Sequence, residues 1–339
     1  MTSKKQLLFI TVLLMTISAC VRHQEKKYKE NAYVEILDNE ALNVIDPNAK
    51  IEILGSGYTW TEGPLWIEQG NFLLFSDIPN NQVHKIDANG NGSVFLSPSG
   101  YTGEVPRGGE MGSNALLLDR EGNLILLQHG DRRVARMNTD WNAPKSDFKT
   151  VVGHYNGKKF NSPNDAVFDA QQNLYFTDPP YGLEKLEKDP VKEIDFQGVY
   201  FSGTKGKAVL MDSTLTKPNG INLSPDGKKL YVAVSDPKHA VWYRYNVLAP
   251  GKLDNKQIFY DATELVGKEG EQGLPDGMKM KSNGYLFATG PGGVWIFNQD
   301  AKPIAKIRTG EATSNCAFSA DEKRLFITAD DFVLGVDLN

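Results

Sequence analysis

After about residue 45 apolar residues come in short alternating runs, and the three- and four-residue spacing of an amphipathic helix is almost absent. Alternation with period two predicts strands, and here the strands repeat. Six segments share one grammar: EGPLWIEQGNFLLFSD from Glu62, NALLLDREGNLILLQHG from Asn114, NDAVFDAQQNLYFTDP from Asn164, NGINLSPDGKKLYVAVSD from Asn219, DGMKMKSNGYLFATGP from Asp276 and NCAFSADEKRLFITAD from Asn315. Each opens on a polar side chain, runs through an alternating strand and a turn, and starts a second apolar strand about ten residues on, at Phe72, Leu124, Leu174, Leu230, Leu286 and Leu325. Most copies continue into a third strand, near Val83, Val134, Trp242 and Val294, and then a weaker fourth.

Copies roughly 40 to 57 residues apart, each of about four strands, predict an all-β chain folded as a six-bladed β-propeller. A tandem of β-sandwiches and a seven-bladed ring with one degenerate blade are the competing readings. The last copy ends at Asn339 just after its third strand, FVLGVDL. The extended segment KIEILGS at residues 50 to 56 is therefore expected to close the ring by joining the final blade.

Equivalent positions in a closed propeller are related by its axis, so the six opening residues should face the central channel at one end. Singly, an Asn or Asp before a strand reads as a turn or cap residue bonding its own backbone. Together, Glu62, Asn114, Asn164, Asn219, Asp276 and Asn315 form a ring of oxygen donors. Two carboxylates and several amides drawn out of water call for a cation. A donor set without suitably placed Cys or clustered His selects a hard ion, calcium before Mg2+, with Zn2+ or Mn2+ able to substitute. A solvated polar channel without an ion is the competing reading.

The first residues depart from this pattern. Lys4 and Lys5 precede an apolar stretch from Leu7 to Ile17 and then Ser18, Ala19 and Cys20, as in a bacterial lipoprotein leader. The expected organisation is a signal peptide over 1–19, a lipidated Cys20 and tether over 20–45, and one propeller domain over 46–339. An uncleaved anchor is the alternative. Either reading puts the folded part outside the cytoplasm, in the cell envelope or beyond it, touching the membrane only through its anchor. With Cys20 lipidated, Cys316 is left alone in an apolar strand pattern, where a buried inert thiol is expected. A formal net charge of -5 argues against nucleic acid as a partner. A monomer acting on a small molecule is expected.

Four motifs in order then resemble the gluconolactonase or regucalcin (senescence marker protein) family. They are Thr-Glu-Gly-Pro-Leu-Trp at 61–66, Asn-Ser-Pro-Asn-Asp at 161–165 with Thr-Asp-Pro-Pro-Tyr-Gly at 177–182, Lys-Pro-Asn-Gly-Ile at 217–221, and Leu-Pro-Asp-Gly-Met at 274–278. The resemblance implies that Glu62, Asn219 and Asp276 ligate a divalent cation, and that Asn164 is a fourth ligand or a substrate contact. It also implies lactone hydrolysis with Asp276 as acid or base. By spacing alone, Asn114 and Asn315 are substrate-side candidates. His129 is a further candidate as substrate contact or proton relay, Arg107 and Arg132 could meet an acidic substrate, and Tyr181 with the charged stretch from Leu183 to Asp195 could form a lid. No Gly-x-Ser-x-Gly elbow occurs, which disfavours a serine hydrolase. The rival functions are a phosphotriesterase or aryl esterase using the same site, and a non-catalytic, calcium-stabilised lipoprotein that binds a glycan or a partner.

Overall fold

Runs such as Phe72–Asp77, buried along their whole length, cannot lie on a sheet with one wet face. Both faces must be covered, and the covering is supplied by the neighbouring repeat on either side. In the computed structural model, which describes residues 32–339, the strands form six radial antiparallel sheets and one small two-stranded ladder of His154–Tyr155 with Lys158–Lys159. Period two divides the burial between the two sides of each blade. Phe72 and Leu74 of blade one pack against Leu124 and Leu126 of blade two, while Leu73 and Phe75 pack against Phe326 and Val333 of blade six. Each of the other interfaces has its own apolar cluster of the same kind, so the core is a set of wedges between blades. The six-bladed propeller read from the sequence is the fold.

The second strands of blades one, two, three and five begin at Phe72, Leu124, Leu174 and Leu286, the positions the repeats mark. Those of blades four and six begin one residue earlier, at Lys229 and Arg324. Ring closure also follows the sequence. Strand β2 (Ile51–Ser56) supplies the fourth strand of blade six, pairing antiparallel with Phe332–Asp337 so that Ile51 faces Val336 and Ser56 faces Phe332.

One boundary moves. Residues 33–45, expected as part of the tether, are built into the domain. Strand β1 (Tyr33–Ile36) adds a fifth strand to blade five, with Tyr33 opposite Arg308 and Ile36 opposite Ala305. After it, Ala41, Val44 and Ile45 are fully buried in the cluster between blades five and six. The reason is edge protection: β1 pairs the outer strand Pro303–Arg308, and a short 3-10 turn at Asn39–Asn43 covers the apolar seam beside it. Val34, Ala41, Val44 and Ile45 fall at irregular spacing and show no period, so the sequence alone hides them. The leader, Cys20 and the tether up to residue 31 lie outside the described residues.

Candidate active site

Five of the six opening residues, Glu62, Asn114, Asn164, Asn219 and Asp276, line one cavity of about 200 Å³ in the centre of the ring. Each stands at or just before an innermost strand, where the chain is anchored to the blade behind it. Asn164 N donates to Thr177 O at 2.9 Å and Asp276 N to Thr289 O at 3.0 Å. The motif glycines answer to the same crowding. A β-carbon at Gly220 would lie 2.1 Å from the Asp276 carbonyl oxygen, so the glycine after Asn219 lets two inner strands approach. Gly63 adds a φ of 50°, the left-handed region that glycine reaches without strain.

A set of hydroxyls stitches neighbouring blades at this level. Ser76 donates to Asn114 O at 2.9 Å, Thr177 to Asn219 O at 2.7 Å and Ser235 to Pro275 O at 2.6 Å. Thr289 donates to Ser314 O at 2.9 Å and Ser314 to Thr61 O at 2.6 Å, while blades two and three are joined by Ala115 N donating to Asn164 O at 3.1 Å. The side chains that line the cavity are thus held on backbone whose carbonyls are already tied to the next blade.

The cavity oxygens themselves are short of partners. Asn114 Oδ1, Asn164 Oδ1 and Asp276 Oδ1 are buried and accept no hydrogen bond. Asn219 donates its amide to Ser235 Oγ at 3.0 Å, which leaves its oxygen as the end turned from that contact. Glu62 Oε2 accepts from Gly63 N at 3.0 Å and Asn315 Nδ2 at 3.3 Å. Burial, with the charges of Asp165 and Glu110 adding to it, raises the Glu62 carboxyl from its ordinary 4.5 to about 8. Burial and then the neighbouring charge of Glu62 hold Asp276 well above the usual carboxylate range. Unpaired buried oxygens and carboxyls this reluctant to ionise are what a bound cation would satisfy. Among the described residues no group of three or more His, Cys, Asp or Glu is placed to hold a metal, so an ion here would rely on amide oxygens, as calcium tolerates. The residues present fit such an ion.

Relatives bear on this arrangement. The sequence pattern of the SMP-30/Gluconolactonase/LRE-like region matches residues 60–331. The chain belongs to this family. A gluconolactonase of Zymomonas mobilis is 36% identical over 297 residues, covering 86% of this chain and 82% of that one. A diisopropyl-fluorophosphatase of Loligo vulgaris is 24% identical over 283 residues, 79% of this chain and 84% of its own. Among solved structures, a gluconolactonase of Xanthomonas campestris superposes with a TM-score of 0.76 at 27% identity, covering 91% of this chain and 97% of that one.

The remaining candidates of this SMP-30/gluconolactonase-like chain fall elsewhere. Asn315 is buried but off the cavity wall: its oxygen accepts from Cys316 N at 2.9 Å, and its amide steadies Glu62. His129 is fully buried and does not line the cavity, its Nδ1 lying 3.4 Å from Glu110 Oε2. Arg107 and Arg132 are loop braces. Arg107 donates to the carbonyls of Gly130 and Gly182, Arg132 to those of Phe160 and Val191. Together with the contact of Glu184 to Gly108 N, they pin the stretch from Leu183 to Asp195 against blades two and three.

Tyr181, at the root of that stretch, does line the cavity. Its phenol bonds Ser235, and burial followed by the charge of Asp276 raises it far above its ordinary value. Asp178 of the Thr-Asp-Pro-Pro motif is a brace as well, accepting from Asn161 N at 2.8 Å and Ser162 N at 2.7 Å, and burial raises it to about 7. Trp60, Glu110, Ser235 and Leu274 line the cavity without having been singled out. Ser235 had a signal, a Ser or Thr near the end of most second strands. Glu110, in a glycine-rich connection with no counterpart in other repeats, had none.

Proposed function

We propose that this chain is a lactone hydrolase that works with a divalent cation, calcium by preference, held by Glu62, Asn164, Asn219 and Asp276. The observation that carries the reading is the cluster of buried, unpartnered oxygens on Asn114, Asn164 and Asp276 around one cavity. Lactone hydrolysis is the activity named for the Zymomonas mobilis relative, at 36% identity over most of both chains. When bound, the cation supplies Lewis-acid polarisation of the ester carbonyl.

The chain's own residues supply the rest. Asp276 stands partly open to the cavity; as a carboxylate it takes the proton of the attacking water and returns it to the ring oxygen when the ester C–O bond breaks. Asn219, fixed by Ser235, and Asn164 hold their amides rigidly enough to orient the substrate ester. Tyr181 and Trp60 line the same cavity and displace water from the reacting ester.

Metal analysis of the purified protein, joined to pH-monitored hydrolysis of several lactones with and without chelator, tests this. Chelator should abolish turnover and added calcium restore it, while Asp276→Ala should lower kcat by about a hundredfold or more. Unchanged turnover in Asp276→Ala removes Asp276 from the mechanism. The Loligo vulgaris relative motivates a second reading, hydrolysis of an organophosphate at the same cavity, so a fluorophosphate belongs in the substrate panel. The location outside the cytoplasm is part of the proposal: palmitate labelling of whole cells should mark the protein and fail in Cys20→Ser.

A further inference from the structure

We propose that Glu110 is the residue by which the cavity selects hydroxylated lactones, and that His129 is its positioning residue. The proposal rests on the lactonase reading for the kind of ring the cavity holds. Glu110 lines the cavity, as Asn114 does, with 35% of its side chain exposed. It is no member of a three-carboxylate ion site, since none exists among the described residues. It hydrogen-bonds to no other side chain there, and its close polar neighbour is His129, with Nδ1 3.4 Å from Oε2. A carboxylate in that position keeps its acceptor capacity for a ligand.

His129 explains how Glu110 is aimed. It is completely buried, yet neither ring nitrogen has a hydrogen-bond partner. Such burial is unfavourable unless the side chain serves a contact. The root of this side chain is packed tightly against the Gly182 backbone: a β-carbon there would come within 2.6 Å of His129 Cβ and 2.9 Å of its carbonyl oxygen. Gly182 is itself fixed, its N donating to Ser162 Oγ at 2.9 Å and its carbonyl accepting from Arg107.

The rest of the wall indicates the ligand. Trp60, Leu274 and Ala312 contribute apolar surface, while Glu110 and Asn114 present acceptors. A ring with C–H faces and a hydroxyl-bearing edge uses both, its hydroxyls donating to the Glu110 carboxylate in a charge-assisted hydrogen bond. An unsubstituted lactone would strip water from Glu110 and return no donor. Sites built to pair a hydroxyl discriminate strongly against analogues that lack it.

Two non-hydrolysable probes test the assignment in calcium-supplemented protein. D-Glucono-1,5-lactam should bind about tenfold or more tightly than δ-valerolactam. Glu110→Ala should erase most of that preference without changing δ-valerolactam affinity. His129→Ala should reduce the preference, and His129→Gln, whose amide can still donate to Glu110, should restore part of it. In turnover, Glu110→Ala should raise KM for D-glucono-1,5-lactone and leave kcat within about threefold. An equal loss for both lactams, no preference in the wild type, or a preference untouched by Glu110→Ala overturns the proposal. A protein that shows the preference but opens no lactone sinks the catalytic reading and leaves Glu110 assigned. Turnover without any role for Glu110 does the reverse.

Discussion

The cavity carboxyls set how stability responds to pH. Glu62 passes from an ordinary 4.5 in the open chain to about 8 when folded, so between those values the folded state holds a proton that the unfolded state has lost. Its contribution is therefore complete at low pH and declines as pH rises through that window, and Asp276 acts in the same sense. Chelated protein should show a lower Tm at pH 8 than at pH 5. Saturating calcium should raise Tm more at pH 8, since the ion takes deprotonated ligands. A calcium effect equal at both pH values would show that these carboxyls do not hold it. At this scale the sequence was legible where a residue type recurs at a fixed offset, as for Glu62, Asn164, Asn219 and Asp276. It was misleading for Asn315, whose offset matches but whose amide oxygen is spent on Cys316 N. Glu110 was invisible because its place depends on how a single loop folds back.

At the level of strands, the hairpin grammar revealed the blades because the second strand of each copy is buried on both faces and reads as a short apolar run set off by recurrent turns. The closing strand β2 was legible from a deficit, a last repeat one strand short. Strand β1 was not, since no repeat requires a fifth strand. The two should behave differently when removed. Protein lacking residues 1–45 loses the burial of Ala41, Val44 and Ile45 and the ion pair of Glu35 with Arg308 at 2.7 Å. It should fold with a Tm several degrees lower, a loss of about 3 kcal/mol or more by apolar burial. Protein lacking residues 1–56 leaves Phe332–Asp337 without a partner along one edge, and should aggregate. Soluble, active protein from the shorter form would contradict the closure described above.

Across the whole molecule, every blade is wedged between two others, so no blade can leave without opening two interfaces. Cys316 reports on that cooperativity. It is fully buried between blades five and six, and burial pushes its thiol up to about 12. Its reaction with a thiol reagent should begin only at the denaturant concentration where tryptophan fluorescence shows unfolding; earlier labelling would mean that this interface opens by itself. The closure by β2 also sets an order of events during synthesis. A strand made early must wait for Phe332–Asp337, made much later, before the ring exists. Glu62, the first cavity carboxylate to be translated, gains the steadying amide of Asn315 only after five further blades' worth of chain has begun to follow it. A growing chain therefore carries no finished site, and whatever chemistry the cavity performs is withheld until both ends of the ring have met.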